Sequence, residues 1–157
     1  MRWVLWAAVI LTACGPAPGE DRARLLLRCA ERFGREALTD RDLPGLLGSA
    51  ATRDADGRNA QAKAAGLTVQ IRYSGPGELA TVEELVFRAD VTNKLVFKEL
   101  QPLGEWKTVM QSKTSAVRLE TSRTISLKQT YIYAHLLNAP GPDAIVTTIG
   151  MRRNLVQ

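Results

Sequence analysis

Leu67-Thr68-Val69-Gln70-Ile71-Arg72-Tyr73 alternates four large apolar residues with three polar ones, and Ser74-Gly75-Pro76-Gly77 follows at once. Strict period-two patterning marks a strand with one face buried, and the Gly-Pro cluster ends it in a turn. A slip of one residue would send every apolar side chain here into water, so this stretch fixes the inner face of a sheet. Toward the carboxyl end, Leu85, Phe87, Ala89 and Val91 make a second alternating row. Asn93-Lys94 has hairpin-turn composition and predicts a return along 95–100, with Val91 beside Val96 and Arg88 beside Glu99. Further strands are expected at 106–111, 116–121, 124–136 and 144–151, and their short connections make them antiparallel neighbours. Within 126–138, Leu127, Tyr131 and His135 also share a helical face, but the Thr130-Tyr131-Ile132-Tyr133 centre favours strand.

Toward the amino end the period changes. Residues 20–38 read as an amphipathic helix, with Glu20 and Asp21 suiting the positive end of its dipole and Leu26, Cys29, Ala30, Phe33 and Ala37 on one face. Residues 42–47 predict a second short helix capped near Thr39-Asp40, with Pro44 in its first turn. Ala-rich 58–65 reads as a helical turn stopped by Gly66. Helices first and strands afterwards give an α+β fold: amino-terminal helix or helices packed on a curved antiparallel sheet of about five to seven strands. At 157 residues the chain is long enough for one ordinary core.

The extreme amino terminus has a different character. After Arg2, residues 3–11 are uncharged and apolar, a layout typical of export signals. Nine helical residues reach only about half of a hydrocarbon core some 30 Å thick, so the run cannot span as a mature anchor. Leu11-Thr12-Ala13-Cys14 resembles the lipobox of bacterial lipoproteins at all four positions. The resemblance implies cleavage between Ala13 and Cys14, with a diacylglyceryl thioether on Cys14. Gly15 rather than Asp after that Cys implies the outer membrane, facing the periplasm, rather than the inner membrane. The expected organisation is a removed signal at 1–13, a lipidated Cys and tether at 14–19, and one α+β domain at 20–157.

With Cys14 acylated, Cys29 stands without an intramolecular partner and reads as a small buried residue of the helix face. Neither Cys belongs to a CxxC or Cys/His spacing, so no metal or cofactor is expected. His135 is the only histidine, and no GxSxG accompanies it. Asp54-Ala55-Asp56-Gly57-Arg58-Asn59 opens like a calcium loop, but Arg58 stands where an oxygen ligand is required. Glu83 and Glu84, adjacent on a strand, read as exposed charges on opposite faces. Lys107, Lys113, Arg118, Arg123 and Lys128 form a candidate face for anionic ligands. The net charge of +5 selects no partner, and there is no aromatic-plus-basic stacking motif for nucleic acid.

These residues predict a lipid-anchored envelope protein, bound to the membrane through Cys14 and acting as a non-enzymatic accessory or binding subunit with an envelope protein partner. The alternatives are a small ligand-binding or enzymatic domain, with a helix–sheet pocket using His135, Tyr131 or Tyr133, and a binder of anionic envelope polymer through the basic strands.

Overall fold

The computed structural model describes residues 18–111, 117–125, 128–137 and 140–154. Helix α1 (Pro18–Arg35) is followed by the short α2 (Leu43–Leu47) and by strands β1 (Thr52–Arg53), β2 (Asn59–Ala64), β3 (Leu67–Tyr73) and β4 (Val82–Ala89). Then come β5 (Leu95–Val96), a 3-10 segment (Phe97–Leu103), β6 (Lys107–Gln111), β7 (Val117–Ile125), β8 (Lys128–Leu136) and β9 (Ile145–Asn154). The fold is α+β, with few helices and one large antiparallel sheet. Its order is β1-β2-β3-β4-β9-β8-β7-β6, with β5 also paired to β9. The path is open, and nine strands are present among the described residues, more than the sequence suggests. The surplus comes from the two-residue β1 and the Ala-rich β2, too short or too small-chained to show a hydrophobic period, while β5 is all that forms of the strand expected at 95–100.

The alternating row at 67–73 forms β3 as expected. Leu67, Val69, Ile71 and Tyr73 are buried, beside Leu85 and Phe87 of β4, Ile149 and Met151 of β9, and Ile132 and Ala134 of β8. Helix α1 adds Leu25, Leu26, Cys29, Ala30 and Phe33 to the same core, and Thr130 Oγ1 of β8 donates to Ala30 O at 3.3 Å. Each large apolar side chain fully removed from water contributes roughly 1.5–3 kcal/mol. The helix stops at Arg35, so Ala37 is exposed; Leu38 is buried instead, and its carbonyl accepts from Val82 N at 2.7 Å.

Two expectations are corrected. Residues 58–65 are not helical: β2 buries Ala60, Ala62 and Ala64 and exposes Asn59, Gln61 and Lys63, a period of two that small side chains conceal. Ala65 and Gly66, at φ 48° and 74°, form the two-residue turn into β3. The hairpin expected at Asn93-Lys94 does not form either. Leu95 and Val96 pair with Val146 and Ile145 of β9, and the chain then coils into the 3-10 segment, where Pro102 has no N–H to give a ladder. Glu99, expected beside Arg88, instead meets Arg22 of α1 at 2.9 Å. The ambiguous 126–138 stretch is strand over Lys128–Leu136, as its β-branched and aromatic centre suggests.

Candidate functional site

The face of the sheet turned away from the core carries the polar half of each strand, and an irregularity in β4 concentrates charge there. Arg72 pairs with Glu84 but Tyr73 with Val82, so Glu83 is the extra residue of a bulge. A regular strand would send Glu83 and Glu84 to opposite faces. The bulge instead lets Arg72 reach both, Nε lying 3.5 Å from Glu83 Oε2 and Nη1 3.4 Å from Glu84 Oε2. Glu83 is exposed, but Glu84 is only 6% exposed, which corrects the reading of both as solvated charges.

A carboxylate tolerates such burial only with partners. Glu84 Oε1 accepts from Tyr133 OH at 3.0 Å and from Arg152 Nε at 2.5 Å. Strand register delivers both: Arg152 lies opposite Glu84, and Tyr133 lies opposite Gly150, two residues along β9. A Cβ added at Gly150 would stand 2.0 Å from Tyr133 Cζ, so only glycine leaves room for the ring to cross β9 and reach Glu84. The Arg152 guanidinium lies 5.5 Å from the Tyr133 ring centroid. Its bond to Glu84 holds Arg152 above its ordinary pKa, against an opposing effect of burial.

Beside this cluster is a recess of about 240 Å³, lined by Asp54, Asn59, Gln61, Gln70, Arg72 and Glu84 among others. Three strands supply the amides and charges, each from an outward position of the alternation. The half-exposed Arg72 offers donors, and the amides offer both donors and acceptors. Glu84, engaged by Tyr133, Arg152 and Arg72, orients two guanidiniums. The arrangement suits recognition of a small polar group better than proton transfer.

Of the residues singled out from sequence, Tyr131, Tyr133 and His135 stand in a row on the face of β8 opposite Ile132 and Ala134. Their successive ring centroids are 6.3 and 5.4 Å apart. Only Tyr133 is brought to Glu84. Lys107 is exposed on β6 and opposite Glu120. Arg118, Arg123 and Lys128 lie opposite His135, Thr130 and Ile125, but their side chains fall outside the described residues, as do Lys113, the lipobox and Cys14.

Residues 54–58 form the turn between β1 and β2, and Asn59 opens β2. Asp54 N donates to Asn59 O at 2.8 Å, and Asp56 Oδ1 accepts from Arg58 N at 2.9 Å, so this loop bonds its own backbone. Cys29 is fully buried, and burial pushes its thiol up to about 12, partly offset by Arg28. A second cluster has no sequence signal at all. Asp40 accepts from Tyr73 OH and, at 2.8 Å, from Arg53 Nε, while the Arg53 guanidinium sits 3.9 Å over the Tyr73 ring. Burial, reinforced by the bond to Asp40, raises the Tyr73 phenol well above its ordinary pKa, so it remains a donor. It ties the α1–α2 link to β1 and β3.

No protein-family profile, curated protein or solved structure matches the chain. The functional reading therefore rests on the amino-terminal motif and on the geometry of the groups around Glu84.

Proposed function

We propose that the protein is a lipid-anchored accessory or binding subunit of the bacterial envelope, acylated on Cys14 and held at the periplasmic face of the outer membrane. The observation that carries this reading is Leu11-Thr12-Ala13-Cys14 closing an uncharged apolar run, with only Gly15-Pro16-Ala17 before α1 opens at Pro18. Two or three acyl chains, at roughly 0.8 kcal/mol per buried methylene, anchor such a chain durably. In this reading α1 is a strut packed on one face of a curved sheet, leaving the polar face free for an envelope protein partner. The mutual engagement of Glu84, Tyr133 and Arg152 supports binding rather than turnover.

A second reading is favoured by the recess beside Arg72: a small polar ligand held among Asn59, Gln61 and Gln70. Binding of anionic envelope polymer is a third, resting on exposed Lys107 and the other basic residues of β7, β8 and the 112–116 segment.

Replacing Cys14 with Ser tests the anchor: fatty-acid labelling and membrane fractionation are expected to be lost. Labelling that persists unchanged overturns it. Crosslinking in native membranes is expected to recover a specific envelope protein, whereas recovery of a bound small molecule alone supports the second reading.

A further inference from the structure

The two most exposed large apolar residues of the described chain, Val91 at 90% and Leu79 at 81%, lie just beyond opposite ends of β4. Strand β4 has eight residues and α1 has eighteen, so at about 3.3 and 1.5 Å per residue each is close to 26 Å long. They run antiparallel. The far end of α1 is marked by Val82 N donating to Leu38 O at 2.7 Å. Its near end is fixed by Arg22, which is 6% exposed. Arg22 Nη1 donates to Asn93 O at 3.1 Å and to Asn93 Oδ1 at 3.0 Å, while Nη2 donates to Lys94 O at 3.3 Å. The turn at 90–94 is thereby fastened to the first turns of α1.

Only four Cα steps separate Cys14 from Pro18, a covalent reach of at most roughly 14 Å. That is about half the length of α1, so the Arg22 end of the body is the end a lipid on Cys14 can hold close. We propose that this end is a membrane-contacting surface: the 90–94 turn, with Val91 at its tip, sits in the headgroup region of the bilayer, and the recess at Glu84 is presented away from it. The inference rests on the acylation of Cys14.

Other residues at this end fit such a surface. Leu137, 52% exposed, follows the end of β8 that lies beside the start of β9, and its N–H donates to Ile145 O at 2.9 Å. Ala65 is exposed in the β2–β3 turn, where a Cβ on Gly66 would come within 2.5 Å of Asn93 Nδ2. Lys63 and Lys94 are exposed around these apolar tips. Acids stand among them, Asp90 3.9 Å from Lys63 and Asp143 3.2 Å from Lys98. Apolar tips set among such ion pairs and lysines match the polar headgroup boundary of a bilayer, where the tips enter the acyl region and the ammonium groups stay at the phosphates. Glu84 and the recess beside it lie toward the other end of β4.

The test uses the full acylated protein in vesicles of phosphatidylethanolamine and phosphatidylglycerol that carry a spin-labelled lipid. Val91→Cys, Leu137→Cys and Leu79→Cys each take a fluorophore, while Cys29 is buried and remains unlabelled. Lipid quenching is expected to be several-fold stronger at 91 and 137 than at 79. Equal quenching at 79 and 91, or none at 91 in protein that floats with the vesicles, overturns the orientation alone. Mass spectrometry showing an unmodified Cys14, in protein that fails to float, overturns the anchor and the orientation together.

Discussion

Arg72 stands between Glu83 and Glu84, 3.5 Å from one carboxylate and 3.4 Å from the other, because β4 carries one extra residue at that point. The two acids are nevertheless unequal. Glu84 is buried and bound by Tyr133 and Arg152 as well, whereas Glu83 meets Arg72 in solvent. Glu84→Gln is expected to destabilise the fold by about 2 kcal/mol, since it removes charge from a buried, multiply bonded group. Glu83→Gln is expected to change stability by less than about 0.5 kcal/mol. Urea unfolding of both variants checks the contrast, and equal effects would contradict the bulge geometry.

Gly150→Ala is expected to cost about 2–3 kcal/mol, because the added methyl meets the Tyr133 ring and must push it off β9. The same displacement breaks the Tyr133–Glu84 bond. Tyr133→Ala in the Gly150→Ala background is expected to remove most of the additional cost. Thermal denaturation of the two single variants and the double variant measures this coupling, and strict additivity would show that the ring is not what the methyl meets.

Arg22 and Glu99 pair at 2.9 Å with both side chains largely buried. Arg22→Met takes the guanidinium from the carbonyls of Asn93 and Lys94 and from Glu99, which keeps the Val96 N–H at 3.0 Å, for an expected loss of about 3 kcal/mol. Amide hydrogen exchange over 90–94 is expected to accelerate more than exchange in β3. Exchange that is unchanged in the turn would mean that Arg22 does not hold it.

Cys29 is expected to resist alkylation until the protein unfolds, since its thiol is wholly buried and pushed up to about 12. The folded state favours the protonated thiol. Its contribution to stability is therefore intact below the unfolded thiol pKa of about 8.5. That contribution is lost progressively as pH rises from there toward about 12. Denaturation midpoints of the parent and of Cys29→Ala, compared between pH 8 and 10.5, are expected to show a steeper alkaline decline in the parent. Rapid native-state labelling at pH 8 would contradict the burial.

The alternation in 67–73 was legible because a strand buried on one face must repeat every two residues, and large side chains make that repeat visible. The same logic found Cys29 and Phe33 on the inner face of α1. It failed in β2, where Ala60, Ala62 and Ala64 hide the period, and a helix was expected. It failed again at 93–100, where local turn chemistry suggested a hairpin but the partner strand, β9, begins some fifty residues later. Partner choice between distant strands leaves no local trace.

The candidate site shows the same division. In the sequence Tyr133 reads as an aromatic group on a strand, and Glu84 as one of two adjacent acids. Nothing local announces that a bulge turns both acids toward Arg72, or that Gly150 clears the path between Tyr133 and Glu84. Near neighbours along the chain set the period of the strands, the inner face of the first helix, and the spacing of an apolar run to Cys14. Which strands pair, which charges are buried, and which end of the sheet Arg22 fastens to the start of α1 depend on contacts made across the folded chain. The physical reason is that hydrophobic period is written residue by residue, whereas the partners of Glu84, Arg22 and Asp40 come from segments that meet only when the chain has folded.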